Sequence, residues 1–391
     1  MRTRAQSSDA ARAVSMSSLP EDMLYHILKF VDENDDARCR AISQSWANLR
    51  RVWVVRGRGI EPRVGDHEHV TFVAFSHDGT LLAVGASDYD TNNNCSNYNI
   101  SVHNVATGDS LHILPRLPKR AYCAAFSPID SAVLVVGDEF PKITVHNLAT
   151  GHSSILQSFP YSRAFSVNTV TYSPDAAKLA VCRYKELTVI GIDGLTKVGQ
   201  TRIISTTTAG DTVWLHGAAF SAAGAVLSVA AGSKIRCYDV ASGELRREIE
   251  HGFEIWTLTG SSSGLVLAGG HHGTLALYDA STGHLRRELR SESPGGNNIT
   301  SSCFSPDSSA FAAQNSDPSG YKTIAIYDVE TCELRREITR RMHICAIAFT
   351  PDGKAIALGD YDGRVALYDA TTGDRRRMQR QPQAPPAAPE A

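Results

Sequence analysis

The chain has 391 residues, of which 42% are hydrophobic and 20% are charged, as in ordinary globular proteins. A formal net charge of −2 argues against a general nucleic-acid-binding protein, which usually carries a basic excess. No apolar stretch approaches the ~18–20 residues of a membrane span, and no signal-peptide-like segment follows Met1. The eight cysteines are scattered without a C-x-x-C pair, so we expect reduced thiols and a cytoplasmic or nuclear protein.

Residues 1–16 are predicted to be a disordered leader, with an organelle transit peptide as the alternative. A small all-α domain is predicted next, over residues 17–58. It opens with Ser18-Leu-Pro-Glu21, a capping-box pattern with proline in the first helical turn. Two helices this short hold little core, so they must pack on the rest of the chain or on a partner. Their apolar stripes are Met23, Leu24, Ile27, Leu28 and Val31 in the first helix, and Cys39, Ile42, Trp46 and Leu49 in the second.

From residue 59 to residue 378 one pattern is repeated seven times. Six copies have an aromatic anchor residue followed by Ser or Thr and a turn, as in Phe349-Thr-Pro-Asp-Gly353, and the fifth is degenerate, with Thr259-Gly-Ser-Ser-Ser-Gly264 in this place. Successive anchors are 51, 46, 48, 39, 45 and 45 residues apart, which brackets the ~40–45 residues of a four-stranded propeller blade. The anchors are Phe75, Phe126, Tyr172, Phe220, Thr259, Phe304 and Phe349.

Within a copy, the alternation of apolar and polar residues is typical of half-buried strands, and Pro-Asp-Gly is a turn sequence. The pattern therefore predicts a mainly β fold, a seven-bladed β-propeller preceded by the small all-α domain. The tail over residues 379–391 is rich in Pro and Ala, and we expect it to be disordered. Two segments could close the ring, Val52–Arg56 as the last outer strand or Asp374–Gln379 completing its own blade.

Four copies carry a Tyr-Asp pair where the WD-repeat family has its Trp-Asp dipeptide, and the first two copies have His-Asn there. Residues 59–378 thus resemble a seven-bladed WD-repeat propeller. Asp362 fits the position of the structural aspartate of that family, and His272 takes this position in the fifth copy. The Tyr-Asp pairs are Tyr238-Asp239, Tyr278-Asp279, Tyr327-Asp328 and Tyr368-Asp369.

The segment that begins Leu19-Pro20 and continues with paired aliphatic residues to Trp46 resembles an F-box. This resemblance implies docking on the Skp-type adaptor of a cullin–RING ubiquitin ligase, with apolar anchors at helical spacing. The residues that it implies for adaptor binding are Leu19, Pro20, Met23, Leu24, Ile27, Leu28, Val31 and Ile42.

The H-E-x-x-H and phosphate-binding P-loop motifs of common catalytic centres do not occur in the sequence. The stretch Gly260–Gly264 has the spacing of G-x-S-x-G, but it falls in the anchor turn of the fifth copy. We therefore expect neither enzymatic activity nor a cofactor or metal. His271-His272 is the one cluster that suggests a metal, but it falls in a turn between strands, where a solvated turn is the simpler interpretation. The acidic residues Asp88, Asp90, Asp360 and Asp362 fall in equivalent turns, where aspartate is a common turn former.

A Leu-Arg-Arg-Glu sequence recurs after the Gly turn of several copies, at Leu245–Glu248, Leu285–Glu288 and Leu334–Glu337, with Arg375–Arg377 as a variant. It is expected on the outermost strand of each blade. Charged residues there discourage pairing with other chains, and a basic binding stripe is the alternative.

Two copies are longer than the others. Copies four, five and seven need 19, 20 and 20 residues from the anchor to the end of the Tyr-Asp slot, but copy one needs 29 and copy six needs 24. Both insertions fall in the same turn, around Asp88–Tyr98 and Ser316–Tyr321. Insertions confined to one turn map to one face of the ring, often the binding face. The residues predicted to contribute to it are Asp88, Tyr89, Lys119, Arg120, Arg163, Arg183, Lys185, Lys234, Tyr321, Arg340 and Arg341.

The two resemblances imply a substrate-recognition subunit of an SCF-type ubiquitin ligase, monomeric within the complex. It would bind the Skp-type adaptor through the F-box and an unidentified target protein through the propeller face, and nucleic acid or membrane is not expected. Recognition of a phosphorylated target by arginines is left open. The alternative is a WD-repeat scaffold unrelated to ubiquitin, with a helical N-terminal cap.

Overall fold

The structure is a computed structural model that describes residues 68–88, 98–114, 121–138, 142–159, 166–183, 185–193, 197–205, 214–289, 299–316, 322–340 and 343–376. The predicted leader, helical domain and tail lie outside these residues. Within the described part of the chain, no helix is long and apolar enough to cross a membrane.

The described strands form seven antiparallel sheets, each a simple up-and-down meander of consecutive strands. Six sheets have four strands and the last has three. The first strand of every sheet contacts the first strands of both neighbouring sheets, and β25 of the last sheet contacts β1 of the first. The sheets therefore form a closed ring of seven blades with the first strands innermost, which confirms the predicted propeller.

Blade one contains β1 (Glu68–Phe75), β2 (Leu81–Asp88), β3 (Tyr98–Asn104) and β4 (Ser110–Ile113). Blade two contains β5 (Ala121–Phe126), β6 (Val133–Asp138), β7 (Lys142–Asn147) and β8 (His152–Ser158). Blade three contains β9 (Val167–Tyr172), β10 (Lys178–Arg183), β11 (Glu186–Asp193) and β12 (Lys197–Ser205).

Blade four contains β13 (Leu215–Phe220), β14 (Val226–Ala231), β15 (Lys234–Asp239) and β16 (Leu245–Glu250). Blade five contains β17 (Ile255–Gly260), β18 (Leu265–Gly270), a 3-10 turn (His271–Gly273), β19 (Leu275–Asp279) and β20 (Leu285–Leu289). Blade six contains β21 (Ser302–Phe304), β22 (Ala310–Ser316), β23 (Lys322–Asp328) and β24 (Leu334–Arg340). Blade seven contains β25 (Ile344–Phe349), β26 (Ala355–Asp360) and β27 (Val365–Asp369).

The core is divided among the seven junctions between neighbouring blades, each of which holds one apolar cluster. Both faces of each sheet are therefore covered, and second strands such as β6, β18 and β26 are buried along their whole length. The cluster that closes the ring joins Val70, Leu82 and Val84 of blade one to Val365 and Leu367 of blade seven. The sevenfold repeat thus supplies the packing partner that one copy lacks.

The Ser or Thr after each anchor fixes the turn between the first and second strands. The Oγ of Ser76 donates to Asp78 Oδ1 at 2.6 Å and accepts from the Leu81 N–H at 2.9 Å. Ser261 Oγ accepts from the Leu265 N–H at 2.9 Å in the same way. The fifth copy is therefore anchored at Gly260, and the prediction of Thr259 was wrong by one residue.

The residues that follow β27 pair with blade seven itself. Arg375 forms an antiparallel bridge with Tyr368, and the Arg376 N–H donates to the Leu367 carbonyl at 2.8 Å. This pairing supports the second alternative for ring closure, in which the segment beginning at Asp374 completes its own blade. Val52–Arg56 lies outside the described residues.

Candidate partner-binding face

The meander divides the connections of every blade between two faces of the ring. Turns between first and second strands, and between third and fourth strands, lie on one face. Turns between second and third strands lie on the other, together with the links to the next blade. Both predicted insertions fall on this second face, because β2 ends at Asp88 before β3 begins at Tyr98, and β22 ends at Ser316 before β23 begins at Lys322. We call it the insertion face.

Five of the residues predicted for the partner-binding face lie within the described part of the chain, in blades one, three, four and six. Arg183, Lys185 and Lys234 are at or beside the turns between second and third strands of blades three and four. Asp88 and Arg340 end β2 and β24, where only the backbone is described. Their contact with a partner stays a prediction. The residues of this group outside the described part of the chain are Tyr89, Lys119, Arg120, Arg163, Tyr321 and Arg341.

Arg183 ends β10 beside a turn of the insertion face, but its side chain is buried. It is 4% exposed, its guanidinium lies 3.7 Å from the centroid of the Phe159 ring, and it pairs with Glu186. Burial lowers the pKa of Arg183, and the charge of Glu186 opposes this effect. A buried guanidinium that is already paired with a carboxylate contributes to packing within the blade and is not exposed for binding a phosphate group.

Lys234 is accessible but already neutralised. Its ammonium group lies 2.6 Å from Glu248 and 2.8 Å from Glu250, and hydrogen bonds to these carboxylates raise its pKa. Arg236 also binds Glu248, at 2.8 Å. The positive charge that the sequence suggested on this part of the face is thus largely matched by glutamates of the neighbouring outer strand.

An aromatic row that the sequence analysis did not identify lies on the insertion face at blades four and five. The ring of His216 stacks between those of Trp214 and Trp256, with centroid distances of 6.4 Å to each and interplanar angles of 19° and 18°. His271 closes the row edge-on, 4.8 Å from Trp256 at 77°. We call Trp214, His216, Trp256 and His271 the aromatic row. It contains both tryptophans of the described residues.

Local strand geometry builds this row. His216 and Trp256 are the residues at which the first strands of their blades bulge away from regular pairing with β14 and β18. A bulged residue has no partner in the ladder, and its side chain is redirected. Trp214 directly precedes β13 and is 43% exposed. The signal in the sequence was an aromatic residue at the same position of two successive first strands.

Charge and hydrogen bonding in the row are uneven. Glu254 Oε2 lies 2.9 Å from His271 Nε2. Burial lowers the pKa of His216, while the nearby charge of Glu254 acts in the opposite direction, so His216 is neutral at pH 7. The indole N–H of Trp256 is shielded from solvent without an acceptor among the described residues. An unsatisfied donor of this kind costs about 1–3 kcal/mol.

His271 therefore belongs to a turn, as predicted, and it binds a glutamate. Within the described residues, no group of three or more His, Cys, Asp or Glu side chains is placed to hold a metal ion. Asp360 acts as a turn former, since its Oδ1 accepts from the backbone N–H groups of Asp362 and Arg364, both at 3.0 Å. It is fully buried. Asp360, and not Asp362, is the enclosed carboxylate of that turn.

The recurrent arginines lie on outermost strands, as predicted, and they bind within the ring. The first arginine of each Arg-Arg pair reaches the aspartate of the Tyr-Asp pair in its own blade. These ion pairs are Arg246–Asp239, Arg286–Asp279, Arg335–Asp328 and, in blade seven, Arg376–Asp369. One arginine in each of these blades is therefore paired with a carboxylate, which weakens the alternative interpretation as a basic binding stripe.

The second arginine of the pair covers the next blade. Arg247 lies over Gly283, where an added Cβ would be 2.7 Å from its Cδ. Arg336 lies over Gly373 in the same way, and its Nε donates to the Thr371 carbonyl at 3.0 Å. These glycines have positive φ angles of 76° and 77°, so their turn needs the conformation as well as the space.

Two segments of the chain, residues 63–91 and 335–369, match the family described as WD domain, G-beta repeat. They cover the first strands of blade one and the passage from the outer strand of blade six to the end of β27. Comparison with curated proteins gives no match.

The family matches and the ring of seven blades together support a WD-repeat protein. Propellers of this class typically serve as non-enzymatic platforms for protein–protein interaction. The fold and the family matches therefore suggest a protein-interaction scaffold, and the insertion face is its candidate site.

Proposed function

We propose that the protein is the substrate-recognition subunit of an SCF-type ubiquitin ligase. Residues 17–51 dock on a Skp-type adaptor, and the propeller holds a target protein on its insertion face. The propeller does no chemistry in this role. It raises the local concentration of a target lysine near the charged conjugating enzyme, so its contribution is proximity.

The observation that carries the proposal is the F-box-like pattern directly ahead of the propeller. Leu19-Pro20 begins it, and two stripes of apolar residues follow at helical spacing. Short amphipathic helices of this kind take their binding energy from a few apolar anchors placed in a groove of the partner. A protein-binding propeller behind such a module supplies the second contact that a substrate receptor needs.

Adaptor docking is tested by co-precipitation of the full-length protein with a purified Skp-type adaptor. The wild type is expected to recover the adaptor together with cullin. A Leu19→Ala/Pro20→Ala variant is expected to recover neither, because both residues belong to the predicted anchor set. Ile129→Ala serves as the matched control, since Ile129 is exposed on a turn between first and second strands.

A folded wild-type propeller that recovers no adaptor would refute the ligase role. The protein would then be a WD-repeat scaffold unrelated to ubiquitin, the alternative that the propeller supports equally. Recovery by wild type and double variant alike would instead place adaptor binding elsewhere in the chain.

A further inference from the structure

We propose that the aromatic row binds a positively charged side chain of the partner protein, with arginine preferred over lysine. The inference rests on the propeller as the partner-binding module of the proposed function, and it does not depend on adaptor docking.

The first reason is the surface that the row offers. Trp214, His216 and Trp256 present near-parallel rings over three successive positions, and the outermost ring is 43% exposed. Cations are attracted to the faces of indoles, and a planar guanidinium can stack on them. Tryptophans on a binding face are also the residues most often found to dominate interface energies.

The second reason is the charge beside these rings. Glu254 pairs with His271 through Oε2, and its Oε1 has no hydrogen-bond donor within the described part of the chain. A carboxylate beside an aromatic surface favours a cationic ligand, and arginine can bind it through two N–H groups. Lys234 at the neighbouring turn does not compete for this carboxylate, since Glu248 and Glu250 hold it.

The third reason is the state of the histidines. Burial keeps His216 neutral, so this ring adds stacking surface without repelling a cation. His271 stands edge-on to Trp256 and fixes Glu254 beside the row. The row thus combines rings, one carboxylate and no uncompensated cation among its own residues.

The test uses the full-length protein and three fluorescent peptides that share a Gly/Ser backbone. One peptide carries arginines, one carries citrullines of the same shape without charge, and one carries glutamates. The arginine peptide is expected to bind about 10-fold more tightly than the citrulline peptide, as measured by fluorescence anisotropy. The glutamate peptide is expected not to bind.

Two variants locate the site. Trp214→Ala removes the exposed ring, and Glu254→Gln removes the charge while keeping the shape. Each is expected to weaken the arginine peptide by about 3- to 10-fold. Glu244→Gln, on the opposite face of blade four, is the charge control, and Ile129→Ala is the control for loss of an exposed apolar side chain. Circular dichroism shows whether each variant folds.

Equal affinity for the arginine and citrulline peptides would overturn the inference, as would unchanged affinity in both row variants or no binding up to about 1 mM. Both row variants must also retain adaptor recovery. Loss of peptide binding with adaptor recovery intact supports the inference, whereas loss of adaptor recovery in the Leu19→Ala/Pro20→Ala variant bears only on the ligase role.

Discussion

The slot of the Tyr-Asp pair separates blades four to seven from blades one to three. In blade six, Asp328 Oδ1 accepts the backbone N–H groups of Glu330 and Thr331, and Oδ2 pairs with Arg335. In blade two, Asn147 Oδ1 accepts the Thr150 N–H at 3.0 Å. An amide has one acceptor oxygen where a carboxylate has two, so asparagine can cap the turn but offers no oxygen for an arginine.

Blade three departs furthest from this pattern. Register places Ile190 and Gly191 where blade four has Tyr238 and Asp239, since Leu179 pairs with Ile190 as Leu227 pairs with Tyr238. Its strands β11 and β12 are longer than their counterparts in blade four. The junction clusters therefore hold the ring, while the polar pair of the slot is an addition that individual blades can lose.

Outer strands differ in the same sense. Blades four to six carry Arg-Arg-Glu on the edge after one exposed leucine each, whereas the edges of blades one and two expose apolar residues without this charged sequence. These are Leu111 and Ile113 in blade one and Ile155 in blade two. Edge protection by charged residues therefore applies to only part of the ring. In blade one the edge strand β4 is instead only four residues long, and shortness is another way to limit pairing with other chains.

The largest expected effect concerns the junction where blade seven meets blade one. A Cβ on Gly359 would lie 2.5 Å from Val70 Cγ1. Gly359→Ala is therefore expected to lower the free energy of unfolding by about 1–3 kcal/mol through overpacking, as measured by urea unfolding.

The cause of this loss can be checked with a second substitution. Val70→Ala in the same chain makes room for the new methyl group, so the double variant should lose less than the sum of the single variants. Simple additivity would show that the two residues are not in contact. Gly151→Ala is the control for backbone strain alone, because its φ is +70° and its Cβ position is open.

The second prediction is that the His-Asn pair of blade two and the Tyr-Asp pair of blade six make stability depend on pH in different ranges. Burial lowers the pKa of His146 in blade two to about 4, from 6.5 for an exposed imidazole. Between these values the unfolded chain binds a proton that the folded chain does not. Stability is therefore expected to fall as the pH decreases from 6.5 to 4, by at most about 3 kcal/mol from this residue.

Urea unfolding at a series of pH values measures this slope. His146→Asn should make it shallower, and Ile129→Ala, at an exposed residue of the same blade that does not titrate, should leave it unchanged. Burial also lowers the pKa of His216, so some slope remains in His146→Asn, and a slope as steep as that of the wild type would contradict the assignment. In blade six the corresponding window is lower, because the backbone of Thr331 and the guanidinium of Arg335 lower the pKa of Asp328 to about 2. Its stabilisation is lost only as the pH falls from 3.8 towards 2.

The smallest effect is expected when the aspartate of a Tyr-Asp pair is replaced by the asparagine that blades one and two carry at this position. Asp328→Asn keeps an oxygen for the turn but loses the charge that pairs with Arg335. The free energy of unfolding is expected to fall only slightly at low salt, and the difference should disappear near ~1 M salt because salt screens an exposed ion pair. Asp328→Ala also removes the cap and should cost more at every salt concentration. A salt-independent loss in Asp328→Asn would show that the arginine pair contributes nothing.

Regular features of the sequence predicted most of the fold. The spacing of the anchors gave the number of blades, and the lengths of copies one and six located the insertions. Gly260 was missed as the fifth anchor because it has no side chain to mark the slot. The register is shown by the hydrogen bond from the Leu265 N–H to Ser261 and by the pairing of Gly260 with Val266.

The candidate site was harder to predict because it depends on contacts between blades. Trp214 and Trp256 are 42 residues apart in the chain. Only the packing of blade four against blade five in the propeller brings them to either side of His216. Arg183 looked like a surface cation, since no local pattern reveals that Phe159 and Glu186 enclose it. The adaptor-binding residues, from Leu19 to Ile42, remain a prediction.

The bulge of the first strand has one more consequence. Six blades show it, and the residue left out of the ladder is Thr71, Tyr122, Asn168, His216, Trp256 or Cys345. None of these side chains is needed to hold two strands in register. Substitution there can therefore change the surface of the insertion face without breaking a strand ladder, although Asn168 also donates to the Leu215 carbonyl of the next blade at 3.2 Å.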